Sequence, residues 1–196
     1  MPSTYPVLKL LHVLGFVFMA IPLFNLIVVN ERALLGVPFE YHADRYLENI
    51  IRRGATRCFV FQGTVLLSGV LMLLVGPWGF GALWGNWVLL TKTLLLLSLM
   101  ALLSYVHLFL QPQIETILAT VGPDVRAPVD LPARLKPFRV RRKRLATVCL
   151  FLVITAIILG MQVAARFSAP MTIGLIVLAG VFAWRANRTL LRFGWI

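Results

Sequence analysis

Residues 87–110 read WVLLTKTLLLLSLMALLSYVHLFL, an apolar run whose one full charge is Lys92. At 1.5 Å per residue such a helix is about 36 Å long, enough to cross a hydrocarbon core of about 30 Å. Apolar and polar residues do not alternate along it, so it reads as a transmembrane helix and not as a barrel strand. Four further stretches share this character: about Pro6 to Val29, Arg57 to Val75, Leu145 to Ala165 and Pro170 to Ala186. The pattern predicts an all-α integral membrane bundle of five transmembrane helices, forming a single domain over residues 1–196.

The composition points the same way. Of the 196 residues, 60% are apolar and 13% charged, where a soluble domain has about 45–50% and about 25%. The mean hydropathy is +0.88. An ordinary soluble domain, a disulfide scaffold and a disordered chain are excluded together. Two cysteines without a spaced Cys/His cluster argue against a structural zinc site. Cys58 and Cys149 fall in the inner halves of their spans, on the reducing side, where a disulfide is not expected. The net charge of +12 arises from 19 basic against 7 acidic residues. No soluble module accompanies it, so the partners expected are the bilayer and its anionic headgroups, not nucleic acid.

Charge placement sets the expected orientation. The first loop carries Arg32, Arg45, Arg52 and Arg53, with Arg57 at its boundary. The third carries Arg126, Arg134, Lys136, Arg139, Arg141, Arg142, Lys143 and Arg144, and the tail adds Arg185, Arg188 and Arg192. The second loop, Gly76 to Asn86, carries no Lys or Arg, and the fourth only Arg166. The positive-inside bias puts loops one and three and the C-terminus in the cytoplasm and the N-terminus outside, in a bacterial inner (cytoplasmic) membrane. The first span has no basic leader and no small-residue cleavage site, and so does not read as a signal peptide. Trp78, Trp84 and Trp87 form an expected outer aromatic belt, with Trp184 and Trp195 at the inner boundary. Arg45 to Arg53 reads as a short amphipathic surface helix. Four prolines in Gly122 to Pro137 make a basic, Pro-rich cytoplasmic loop of about 112–143 the expected connection to span four, and the run Arg139 to Arg144 a solvated anchor.

Ionisable groups inside a span are the natural functional candidates. His12 lies about 9 Å below the outer boundary of span one, and Lys92 about 8 Å down span three, so the two share a level. Gly15 and Met19 lie on the His12 face, and a glycine one turn from a histidine would let a flat ligand approach the backbone. His107, about 30 Å down span three, cannot share a metal ion with His12. It falls near Arg57, Gln62 and Asn25 in depth, a possible inner polar site for a carboxylate, a propionate or a quinone carbonyl. Nothing selects His42. Met19, Met72, Met100 and Met161 are scattered over four spans and align no ligand path from sequence alone. The spans contain no paired carboxylates, and the chain has no phosphate cradle, nucleophile elbow or HExxH motif, so hard chemistry would fall to a cofactor.

The segment Leu8-Lys9-Leu10-Leu11-His12-Val13-Leu14-Gly15 resembles the opening helix of HemJ-type protoporphyrinogen oxidases and the related CopD-like integral membrane proteins, which begin with a similar K-x-x-H start. Span three, with Lys92 early and His107 late, is similar to their third helix. The resemblance implies a b-type haem held between spans one and three, with His12 as an axial ligand of the haem iron and Lys92 as its partner residue. It implies oxidation of protoporphyrinogen to protoporphyrin, with electrons passed to a membrane acceptor. The competing expectation is a non-catalytic accessory subunit of a larger membrane redox or photosynthetic complex, or a homo-oligomer, suggested by the small size and short outer loops.

Overall fold

The computed structural model describes residues 4–31, 35, 38–123, 127–163 and 167–188. Arg32, Arg126, Arg166, Arg192 and Trp195, which entered the topology reading, lie outside the described residues. The elements are α1 (Thr4–Glu31), α2 (Tyr41–Val75), the short α3 (Gly81–Gly85), α4 (Trp87–Tyr105), a π-helical turn (Val106–Leu110), α5 (Gln111–Leu118), α6 (Leu131–Gln162) and α7 (Ala169–Arg188). Five stretches are long and apolar enough to cross a bilayer: α1, α2, the continuous rod Trp87–Leu118, α6 and α7. The protein is an all-α integral membrane protein built on five transmembrane helices.

The helices overrun the expected spans at the arginine-rich end. Arg45 to Arg53 is no separate surface helix but the opening of α2, which runs unbroken for 35 residues, or about 52 Å. Its start is fixed by Glu40, whose side chain accepts from the His42 and Ala43 amides, while Asp44 accepts from the Glu40 amide. The proline-rich segment is helical at both ends, with α5 reaching Leu118 and α6 starting at Leu131. Pro132 sits in a first turn, where an N–H would have had no partner, so it starts a helix instead of breaking one, whereas Pro112 lies inside the continuous rod Trp87–Leu118. Pro112 explains the π-turn. Its ring crowds the Leu108 carbonyl one turn back, and the rod widens over Val106–Leu110 to make room.

Hydroxyl groups within the spans are satisfied locally. Thr64, Ser68, Thr91, Thr93, Ser98 and Thr155 each donate to the carbonyl four residues back, which a medium without water demands. Helices α1 and α2 run antiparallel, with Tyr5 against Gly76, His12 against Gly69, Gly15 against Val65 and Pro22 against Gly54. Helices α4 and α6 complete a four-helix core in which Met19, Cys58, Val65, Leu99, Val153 and Ala156 pack together. Helix α7 lies against α6, tied by Gln162 to Thr172 and by Thr147 to Asn187.

The arginine-rich end is closed by buried ion pairs. Arg142, with 0% of its surface exposed, donates from Nη1 to Glu48 Oε2 at 2.7 Å and from Nη2 to Glu48 Oε1 at 3.0 Å. Its Nη1 also reaches Gln111 Oε1 at 2.6 Å, and its Nε reaches Asn30 Oδ1 at 3.0 Å. Arg139 pairs with Glu48 at 3.1 Å and with Asp44 at 2.9 Å, and Lys143 faces Glu31 at 3.6 Å. Three cations meet three carboxylates, and α1, α2, α5 and α6 are joined at one point. The solvated-anchor expectation is corrected here: Arg141 and Arg144 are exposed, but Arg139, Arg142 and Lys143 are buried. The helical period turns positions 139, 142, 143 and 146 to one face, the face that continues the core.

Removing Glu48 would leave the buried Arg142 without its carboxylate and Arg139 with Asp44 alone. Glu48→Ala is expected to lower unfolding free energy by about 3–5 kcal/mol, read by denaturant or thermal unfolding in detergent. The exposed Asp130→Asn should stay within about 0.5 kcal/mol of the parent. Equal effects of the two substitutions would contradict the clamp.

Candidate functional site

His12 is turned inward from α1 onto α2. Its Nδ1 lies 3.0 Å from the Val65 carbonyl oxygen and 3.1 Å from Ser68 Oγ. A carbonyl can only accept, so the imidazole proton sits on Nδ1 and the Nε2 lone pair is left free. Nε2 makes no hydrogen bond among the described residues. A ring N–H given to a backbone carbonyl is the usual way an imidazole is held when its other nitrogen binds a metal. Phe16, one turn along α1, steadies the ring edge-on at 5.5 Å. Gly69 makes room on α2, where an added Cβ would stand 3.3 Å from His12 Cε1.

Lys92 enters from α4 and is half-buried. Its Nζ reaches across to α6, where a Cβ on Gly160 would lie 3.2 Å away. The two side chains are turned to different neighbours, His12 to α2 and Lys92 to α6. Ser68, Gly69 and Gly160 were missed, because sequence places residues in depth but does not say which helix faces which. Among the described residues, no group of three or more His, Cys, Asp or Glu side chains is placed to hold a metal ion.

Gly15 does not serve this site. A Cβ there would fall 2.7 Å from Val65 Cγ2 and 3.4 Å from the Phe61 carbonyl oxygen. The space a flat ligand would need beside Gly15 is filled by α2, and the glycine instead lets the two backbones approach closely. Its expected part in cofactor binding is corrected accordingly.

The anticipated inner polar group is only partly assembled. Asn25 and Arg57 are exposed, turned away from the core. Gln62, 2% exposed, lines a cavity of about 30 Å³ together with Met19, Cys58, Cys149 and Arg142. His107, on the π-turn, lines a second recess of about 20 Å³ with Pro22, Arg52 and Gln111, and its ring meets Phe59 edge-on at 5.8 Å. Gln62 Oε1 and His107 Nδ1 are both buried without a hydrogen-bond partner. Neither recess is lined by His12, Lys92 or Gly15.

Comparison of the chain with family models, with curated proteins and with solved structures finds no match. Membership of an integral membrane class rests on the helices themselves.

The Gly15–Val65 contact gives a direct test of helix register. Gly15→Ala should cost about 1–3 kcal/mol by overpacking, and Val65→Ala carries its own cavity penalty. The double variant should be more stable than the sum of the two losses predicts. Simple additivity in the cycle would show that α1 and α2 do not meet there.

Proposed function

We propose that this integral membrane protein is a redox protein that binds b-type haem through His12 Nε2, as the HemJ/CopD-like resemblance implies. The observation that carries the reading is the Nδ1–H bond from His12 to the Val65 carbonyl. It fixes the tautomer and ring plane and leaves one nitrogen with a lone pair and no partner. A haem bound there would supply one-electron chemistry to a chain that brings few reactive side chains of its own.

The protein's own contribution is positioning and charge. The Val65 carbonyl and Ser68 hydroxyl hold the imidazole, and Phe16 limits its rotation. Gly69 and Gly160 keep side chains away from His12 and Lys92. Lys92 brings a cation to the level of His12, the group suited to meeting a porphyrin carboxylate or to standing as the partner residue of the iron. Gly15 has no part in this arrangement, so any porphyrin must approach His12 from a side other than the α1–α2 seam.

An absorption spectrum of detergent-purified protein tests the proposal. A Soret band is expected, abolished or shifted by His12→Ala and restored in intensity by exogenous imidazole. A folded protein that stays colourless and takes up no added haem would overturn it. Copurification with a larger redox complex whose activity survives His12→Ala would favour the accessory-subunit reading.

A further inference from the structure

Arg141 reaches from α6 onto the rod Trp87–Leu118 at the arginine-rich end. Its guanidinium carbon stands 5.3 Å from the centroid of the Tyr105 ring, and that ring stacks on Phe109 at 5.7 Å and 25°. Phe109 belongs to the π-turn, where Leu108 and Phe109 are both exposed. Arg144 and Val148, further along α6, are exposed as well, and positions 141, 144 and 148 share one helical face. Apart from the Tyr105 ring, neither Arg141 nor Arg144 has a hydrogen bond or ion pair among the described residues. The described carboxylates are engaged elsewhere or distant. Glu31, Asp44 and Glu48 are buried against Lys143, Arg139 and Arg142, Glu40 caps α2 and Glu115 accepts from Gln111. Asp130 precedes Arg141 on α6 by some 11 residues, or about 16 Å.

Depth and chemistry select what these two guanidinium groups meet. Tyr105 lies 18 residues after Trp87, about 27 Å along the rod, so it reaches one edge of a core about 30 Å thick when the exposed Trp87 marks the other. The Arg141 guanidinium is held at the level where phospholipid headgroups meet their acyl chains. A guanidinium stacked on a ring keeps its in-plane N–H groups free, and it is already ordered before a ligand arrives. Phosphate oxygens match that fork geometry. We propose that Arg141, Arg144, Tyr105 and Phe109 form a binding site for one anionic phospholipid. Its phosphate lies on the two guanidinium groups and an acyl chain runs along Tyr105, Phe109 and Val148. A headgroup carrying its own ammonium is disfavoured, because the ammonium would face the second arginine. Basic loops exert a general pull on anionic membranes, whereas this site holds a single lipid in one place. It lies on the outer side of α4 and α6 and is independent of the haem reading.

The test uses the full chain, purified in detergent and titrated with phosphatidylglycerol or phosphatidylcholine under native mass spectrometry. The wild type should retain one phosphatidylglycerol about tenfold more tightly than phosphatidylcholine, the effect of one charge-assisted contact. Arg141→Gln should lose about that tenfold preference, and Tyr105→Leu should weaken retention severalfold. Tyr105→Phe keeps the ring and should retain the lipid as the wild type does. Arg53→Gln removes the same charge from an exposed position on α2 and should change nothing. Arg141 is exposed and ties no helix by a hydrogen bond, so its variant is expected to fold. Equal losses from Arg53→Gln and Arg141→Gln would reduce the site to diffuse charge and overturn it. Equal retention of the two lipids, or a folded wild type that retains neither, would overturn it too. A dimer that Arg141→Gln dissociates would give this face to a second copy of the chain instead.

Discussion

Arg142 carries a guanidinium to a place with no solvent contact, and the rest of the bundle is arranged around that fact. A buried charge of this kind persists only when every donor is met. Glu48 meets it bidentately, Gln111 and Asn30 take further N–H groups, and Arg139 shares the same carboxylate. The partners lie on α1, α2, α5 and α6, so no one of these helices can slide or rotate without breaking a charge-assisted bond. Packing among leucines in lipid gives little register specificity, because one apolar face replaces another at small cost. The ion cluster supplies that specificity. It also draws in Asp44, Glu48 and Glu31, leaving Arg52, Arg53, Arg141 and Arg144 exposed at this end.

The bundle therefore divides along its length by the kind of group it buries. One end is ionic, with each buried cation facing a carboxylate. The middle is apolar but for sulfur and one amide, with a small void. Toward the tryptophan end an imidazole from α1 rests on α2 and an amine from α4 reaches α6. Each zone has its own means of bringing helices close: charge at the first, small side chains such as Ala55, Ala146 and Ala156 at the second, and glycines at the third.

Much of this was legible in the sequence, and the failures have physical causes. Five spans follow from apolar length, since lipid leaves a helix no alternative. The common level of His12 and Lys92 follows from the rise per residue. The helix start at Pro132 was hidden because a proline signals a break and a first turn alike. Arg139, Arg142 and Lys143 were taken for a solvated run because counting charges for orientation ignores their phase. The carboxylates Asp44 and Glu48, four residues apart on one face, were the signal that could have revealed their partners. The meeting of Met19 with Cys58 and Cys149 could not have been read, because it depends on how three helices are rotated against one another. Gly15 shows the same limit: its face was right, but its neighbour turned out to be Val65.

Rotation of α1 is thus the variable on which the candidate sites depend. Its inward face runs through Leu8, His12, Gly15, Met19, Leu23, Ile27 and Asn30 at spacings of three and four, one stripe of a single helix. Asn30 and Glu31 tie the end of that stripe to Arg142 and Lys143, and Gly15 seats its middle on Val65. A slip of one residue would swing every member by about 100°. Such a slip would expose Met19 to lipid, part His12 from the Val65 carbonyl and pull Asn30 from the guanidinium together. The orientation of the imidazole is therefore set in part by the Arg142–Asn30 hydrogen bond some 18 residues further along the helix, about 27 Å away. The geometry at the tryptophan end rests on electrostatics at the other.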